Sequence, residues 1–147
     1  MATIVQAGAN LKQVVPFLGV TDIERSLRFY LEGLGFVLQN KWEPEGKIRW
    51  CWLTRGGASL MLQEFVKEGH GGLRPEGALG RGVSLCFQCE DAVALYREFR
   101  SRNIEAKEPF VGNSMWVTVV SDPDGYKLDF ESVTDVPEET KLSEVEK

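Results

Sequence analysis

Apolar and polar positions along the chain alternate between a period of two and a period of three to four, and the same order of rhythms occurs twice. Residues 13–20 are mostly apolar and rich in valine, bounded by a polar lead-in and by Thr21-Asp22, which predicts a strand. A helix follows: Thr21 and Glu24 have the spacing of a capping box, and Ile23, Leu27, Tyr30, Leu31 and Leu34 form one apolar stripe. Gly33 and Gly35 supply the backbone freedom that ends it, and residues 36–39 open a second extended segment. Two further strands are predicted at 47–54 and 58–65, joined by Arg55-Gly56-Gly57, since glycine permits the positive φ of a tight hairpin. The order is βαβββ.

Residues 67–81 are glycine-rich and lack apolar periodicity, so they read as a connector. The pattern then restarts with a strand at 82–89, a cap at Glu90-Asp91, and a helical stripe of Ala92, Leu95, Tyr96 and Phe99 ending near Asn103. Strands are predicted at 105–110, 115–121 and 126–133, with a turn at Asp122-Pro123-Asp124-Gly125 between the last two. One constant shift places Asp22 on Asp91, Leu27 on Tyr96 and Tyr30 on Phe99, which supports an internal duplication. The expected class is α+β. A lead-in at 1–12 precedes one domain at 13–134, divided into modules 13–66 and 82–134 by the connector 67–81. The charged tail 135–147 is expected to be peripheral, because Leu142 and Val145 are too few to anchor it.

Length and charge narrow the functional classes. The 147 residues suit one domain with a real core, and 17 basic against 22 acidic residues argue against a nucleic-acid footprint. The net charge of −5 favours solubility and mildly favours cationic small molecules as partners. Neither a signal-peptide pattern nor an apolar run of spanning length is present, so a cytoplasmic location without membrane contact is expected. Three cysteines, Cys51, Cys86 and Cys89, make a disulfide framework unlikely to be the organising device.

Four stretches together resemble a known family: residues 14–22 (VVPFLGVTD), Phe29-Tyr30 through Gly33-Leu34-Gly35-Phe36, Leu60-Met61-Leu62, and residues 122–129 (DPDGYKLD). The chain is similar over about 14–133 to the vicinal oxygen chelate superfamily of glyoxalase, bleomycin resistance and extradiol dioxygenase proteins. The resemblance implies two βαβββ modules, each wrapping half of a sheet-lined cavity, and a homodimer with modules paired within or between chains. Metal-dependent members place His, Glu, His and Glu at positions that fall here on Val15, Met61, Ser84 and Asp129. Only Asp129 is an anionic ligand, so neither the usual metal nor any other cofactor is expected. Strand alternation then turns Val15, Phe17, Gly19, Ser59, Met61, Gln63, Ser84, Cys86, Gln88, Lys127, Asp129 and Glu131 toward the cavity. Leu18, Val20, Leu60, Leu62, Leu85, Phe87, Leu128 and Phe130 turn toward the helices.

Individual residues carry different weights. Cys86-Phe87-Gln88-Cys89 has a CxxC spacing, but in a strand these thiols point to opposite faces, and no second pair completes a zinc site. His70, the only histidine, sits in the connector and could act as a base only if that loop covered the cavity. Asp129 is the candidate catalytic or ligand-binding carboxylate. Trp50 and Trp52 share a strand face, Trp42 precedes them, and Trp116 occupies the corresponding strand of the second module; aromatic walls hold planar cations by stacking and cation–π attraction. The leading expectation is a metal-free protein, similar to bleomycin-resistance-type members, that sequesters an aromatic or cationic small molecule with Phe17, Trp50, Trp52, Met61, Gln63, Ser84, Cys86, Trp116, Asp129 and Glu131. The alternatives are a glyoxalase-like lyase, isomerase or dioxygenase with a site rebuilt from Asp129, Glu131, Glu64 or His70, and a scaffold without a ligand.

Overall fold

A computed structural model describes residues 8–66 and 73–146. Two four-stranded sheets repeat one topology. Module one contains β1 (Phe17–Val20), α1 (Ile23–Leu27), β2 (Val37–Trp42), β3 (Trp50–Arg55) and β4 (Ala58–Glu64), in the sheet order β1-β4-β3-β2. Module two contains β5 (Ser84–Gln88), α2 (Ala92–Ser101), β6 (Phe110–Gly112), β7 (Met115–Ser121) and β8 (Lys127–Val133), in the order β5-β8-β7-β6. The pairs β1–β4 and β5–β8 are parallel and the rest antiparallel. The α+β class and the duplicated βαβββ order are therefore as expected. No helix among the described residues is long and apolar enough to cross a membrane.

The first helix starts differently from the predicted box. Asp22, not Thr21, is the N-cap: its Oδ1 accepts from the Arg25 N–H at 3.2 Å, and the Glu64 carboxylate takes the Ile23 N–H at 3.0 Å. Thr21 instead donates its hydroxyl to Asp124 across the modules, at 2.6 Å. After Leu27 the helix widens into a π-helical segment, Arg28–Gly33, in which the Leu34 N–H reaches the Phe29 carbonyl. The wider turn keeps Tyr30 and Leu34 on the buried side with Ile23 and Leu27. Gly33 ends this segment where a β-carbon would clash with the Ile104 side chain of module two, so a larger residue would force that side chain to shift.

The modules meet through their helix-facing sides. An aromatic run crosses the boundary: Tyr30 meets Phe36, Phe36 meets Phe87 at 6.1 Å, and Phe87 stacks on Phe130 at 4.9 Å, with Phe99 edge-on to Phe130. The fully buried Tyr30 hydroxyl donates to Asp122 Oδ2 at 2.8 Å. Asp122 Oδ1 takes the N–H groups of Asp124 and Tyr126, both at 2.9 Å, which shapes the DPDG turn. Tyr126 returns the tie by donating its hydroxyl to the Gly19 carbonyl at 2.8 Å. Burial above all, then Asp122, pushes the Tyr30 phenol well above its ordinary value, so the proton stays on the donor. Elsewhere at the boundary, Arg55 grips Glu98 with two bonds of 2.6 and 3.0 Å and caps the Leu34 carbonyl at 2.7 Å.

Two further expectations are corrected. The strand expected at 105–110 shrinks to an isolated bridge at Ala106 and the short β6, because Pro109 has no N–H for a ladder. The tail is not peripheral. Val111 donates its N–H to the Thr140 carbonyl, Glu138 accepts from the N–H groups of Asn113 and Ser114, and a short helix α3 (Leu142–Val145) buries Leu142. It covers the outer edge of β6, which backbone bonding rather than apolar content makes possible.

Replacing Tyr30 by Phe removes a donor from a buried carboxylate and should cost about 1–3 kcal/mol. Chemical denaturation would show it as a lower midpoint at unchanged slope, and an unchanged midpoint would contradict the tie. The Arg55 guanidinium, by hydrogen bonding, holds the Glu98 carboxyl below its ordinary value against a smaller opposing effect of burial. The unfolded chain thus binds this proton more readily than the folded one, and the stabilisation is present above the ordinary carboxylate range. It should fade as pH falls through the lowered range, so the stability gap between the wild-type chain and Glu98→Gln should narrow toward acid in thermal melts.

Candidate functional site

In module one, cross-strand register gathers the predicted residues on the face turned from the helices. Phe17 lies beside Met61, Met61 beside Trp52, and Gln63 beside Trp50. The alternate residues Leu18, Cys51, Leu53, Leu60 and Leu62 are buried on the other face, as period two requires. Trp42 lies opposite Trp50 across β2, after a register shift between Leu38 and Asn40, so a third indole joins this face. The sequence reading noted Trp42 without assigning it, because a bulge cannot be read from alternation. Trp52 Nε1 is buried and has no hydrogen-bond partner among the described residues.

In module two, Ser84, Cys86 and Gln88 of β5 stand beside Lys127, Asp129 and Glu131 of β8, on the corresponding face. Gln88 Nε2 donates to Glu131 Oε2 at 3.0 Å, and Lys127 Nζ is 3.6 Å from Asp129 Oδ2. Asp129 is 7% exposed, lies beside Val119 of β7, and its Oδ1 has no partner. A buried carboxylate oxygen without a protein donor is uncommon and calls for a donor from water, an ion or a ligand.

Two candidates lie on the helix-facing side. Trp116 pairs with Ser132, on the side of Thr118, whose hydroxyl donates to the Ala92 carbonyl of α2. Trp116 is therefore on the face opposite Asp129 and is corrected as a cavity wall; its position is one residue out of phase with the Trp50 and Trp52 pattern. Glu64 is also turned to the helix side, held by Arg49 at 3.1 Å, Lys47 at 3.3 Å and the start of α1, which leaves no free oxygen for a rebuilt acid–base site. His70 lies outside the described residues. Val15 precedes β1 and is half-buried.

The three thiols differ. Cys51 is buried, and burial pushes its thiol up to about 12. Cys89 sits just past the end of β5, with Sγ 3.4 Å from the Glu131 carbonyl. Cys86 faces the cluster, exposed, and its thiol is pushed up by desolvation and then by the Glu131 carboxylate beside it. A raised thiol at both partly accessible positions disfavours nucleophilic chemistry.

A cavity of about 1100 Å³ runs along the free edge of β5, walled by Gln13, Val14 and Pro16, by the β3–β4 hairpin residues 55–59, and by the start of α2. Ser84 and Cys86 border it, and the Arg55–Glu98 pair lies on its wall. Sequence reasoning missed this groove, since only the meeting of the modules creates it.

Comparison with solved structures supports the fold. TioX from Micromonospora sp. ML1 superposes with a TM-score of 0.65 at 19% identity over 82% of this chain and 98% of that one. A bleomycin resistance determinant encoded on the transposon Tn5 gives 0.64 at 24% identity, over 86% of this chain and 100% of that one. A bleomycin-binding protein complexed with bleomycin gives 0.63 at 24% identity, over 83% and 98%. No curated protein matches the chain significantly in sequence. The family model of the glyoxalase/bleomycin resistance protein/dioxygenase superfamily matches residues 10–130, and the chain, with two βαβββ modules and the DPDG tie between them, belongs to that superfamily.

Proposed function

We propose that this protein binds a small aromatic or cationic molecule on the open faces of its two sheets and sequesters it without turnover. The observation that carries the reading is that two of the three buried side-chain polar atoms without a partner among the described residues, Trp52 Nε1 and Asp129 Oδ1, lie one on each of those faces; the third is Ser26 Oγ. A donor beside indole rings and an acceptor beside valines suit a planar ligand carrying a cation or a hydrogen-bond donor. Solved structures with this fold include a bleomycin-binding protein with its bleomycin and the antibiotic-binding protein TnmS3 from Streptomyces sp. CB03234, which agrees with the reading at the level of small-molecule binding. The four family metal positions, Val15, Met61, Ser84 and Asp129, offer one carboxylate, so the binding proposed here does not use a metal held by that quartet.

A homodimer is part of the proposal. Phe17, Val37 and Val133 are 54%, 64% and 84% exposed on or beside the sheets, and a second copy seated there would cover apolar surface and enclose the ligand.

Titration with a panel of antibiotics and aromatic cations, bleomycin included, tests the binding through the melting temperature and tryptophan emission. A binding member should stabilise the fold, and Asp129→Asn should weaken binding of a cationic ligand about 10-fold or more, since a hydrogen bond to a charged group contributes about 1.5–3 kcal/mol. Trp116→Phe should leave affinity unchanged. A panel without a single stabilising compound, or recovery of a chemically altered ligand, would overturn the proposal. Sedimentation equilibrium should give a dimer mass, and a monomer at micromolar concentration would remove that part.

A further inference from the structure

Cys86, Asp129 and Glu131 place one thiol sulfur and two carboxylate oxygens within 4.8 Å of one another. Cys86 lies directly beside Asp129 across β5 and β8, and Glu131 follows two residues along the same face. None of the three contacts depends on module one. The family's metal positions share only Asp129 with this set, because Ser84 lies beside Lys127 instead.

Beyond the cluster's geometry, Asp129 carries a sign of a ligand, the same bare oxygen on which the proposed function rests. The residue is 7% exposed, and its Oδ1 accepts no hydrogen bond. Among the described residues its charged partner is the Lys127 ammonium, 3.6 Å from the other oxygen. A buried carboxylate with a bare oxygen is costly unless a cation or donor meets it.

We propose that Cys86, Asp129 and Glu131 bind a divalent cation of the zinc and cadmium class through one thiolate and two carboxylate oxygens. The sulfur sets the selectivity, since a thiolate favours borderline and soft cations over magnesium or calcium, which prefer all-oxygen sites. Three protein donors leave a further coordination position open toward the sheet face. On binding, the Cys86 S–H bond is replaced by a sulfur–metal bond and the proton leaves to solvent, with no change of oxidation state. Bonds of about 2.0–2.3 Å are the lengths such donors make to zinc. Gln88, bonded to Glu131 Oε2 at 3.0 Å, and Lys127 remain as outer partners that orient the ligands. The site goes beyond the ligand-binding proposal and departs from the expectation of a chain without metal, which considered the family positions alone.

Cadmium titration of the reduced full-length chain, without any organic ligand, tests the site through the ultraviolet absorption of a cadmium–thiolate bond. One equivalent should produce the band, with millimolar magnesium unable to compete. Cys86→Ser should abolish it, Cys89→Ser should leave it intact, and Glu131→Gln should weaken binding at least ~10-fold, because even outer-shell changes cost that much at metal sites. Glu131 is only partly buried, so this variant tests the carboxylates even if Asp129→Asn destabilises the fold. A band that survives Cys86→Ser, that vanishes in Cys89→Ser, or whose midpoint is unmoved by Glu131→Gln would overturn the proposal.

Discussion

The structure depends on one buried hydrogen bond, from Tyr30 in the first helix to Asp122 in the last turn of the second module. Asp122 carries two duties. Its Oδ1 folds the DPDG turn by taking two backbone N–H groups, while its Oδ2 receives the tyrosine of the other module. Desolvation raises the carboxyl, opposed by these hydrogen bonds. The turn that starts β8 is therefore held by the same atoms that dock the modules. Strand β8, with Asp129 and Glu131, is positioned by that docking.

Because the modules spend their helix-facing sides and aromatic run on each other, their opposite sheet faces stay open. That division explains the polarity of the strands. Leu128 and Phe130 are buried in the joint core, whereas the intervening Asp129 is buried by its own sheet neighbours and keeps a bare oxygen. Module one offers indoles and a thioether on its open face, and module two offers carboxylates, a thiol and an amide. The chemistry is thus split between the two repeats, with apolar contact from one and charge from the other.

Much of this was legible in the sequence, for identifiable reasons. Period two separates Met61 from Leu60 and Leu62, and Asp129 from Leu128 and Phe130, and the register bears out that separation. The turn DPDG and the cap at Asp91 are local chemistry and are visible without neighbours. Features made by long-range contact were not. Thr21 caps nothing because Asp124, far along the chain, takes its hydroxyl. Trp116 is turned away because register, not residue type, sets its face. The tail docks through backbone bonds to Val111 and the neighbouring residues, which hydrophobicity does not report.

If the open faces receive the ligand, the indole N–H signals of the four tryptophans report it most directly. During titration with a binding aromatic cation, two-dimensional NMR should show the Trp52 indole proton moving downfield as it gains an acceptor, with Trp42 and Trp50 shifting by ring currents and Trp116 staying in place. Movement of Trp116 while the Trp52 signal stands still would place the ligand on the helix-facing side and contradict the account.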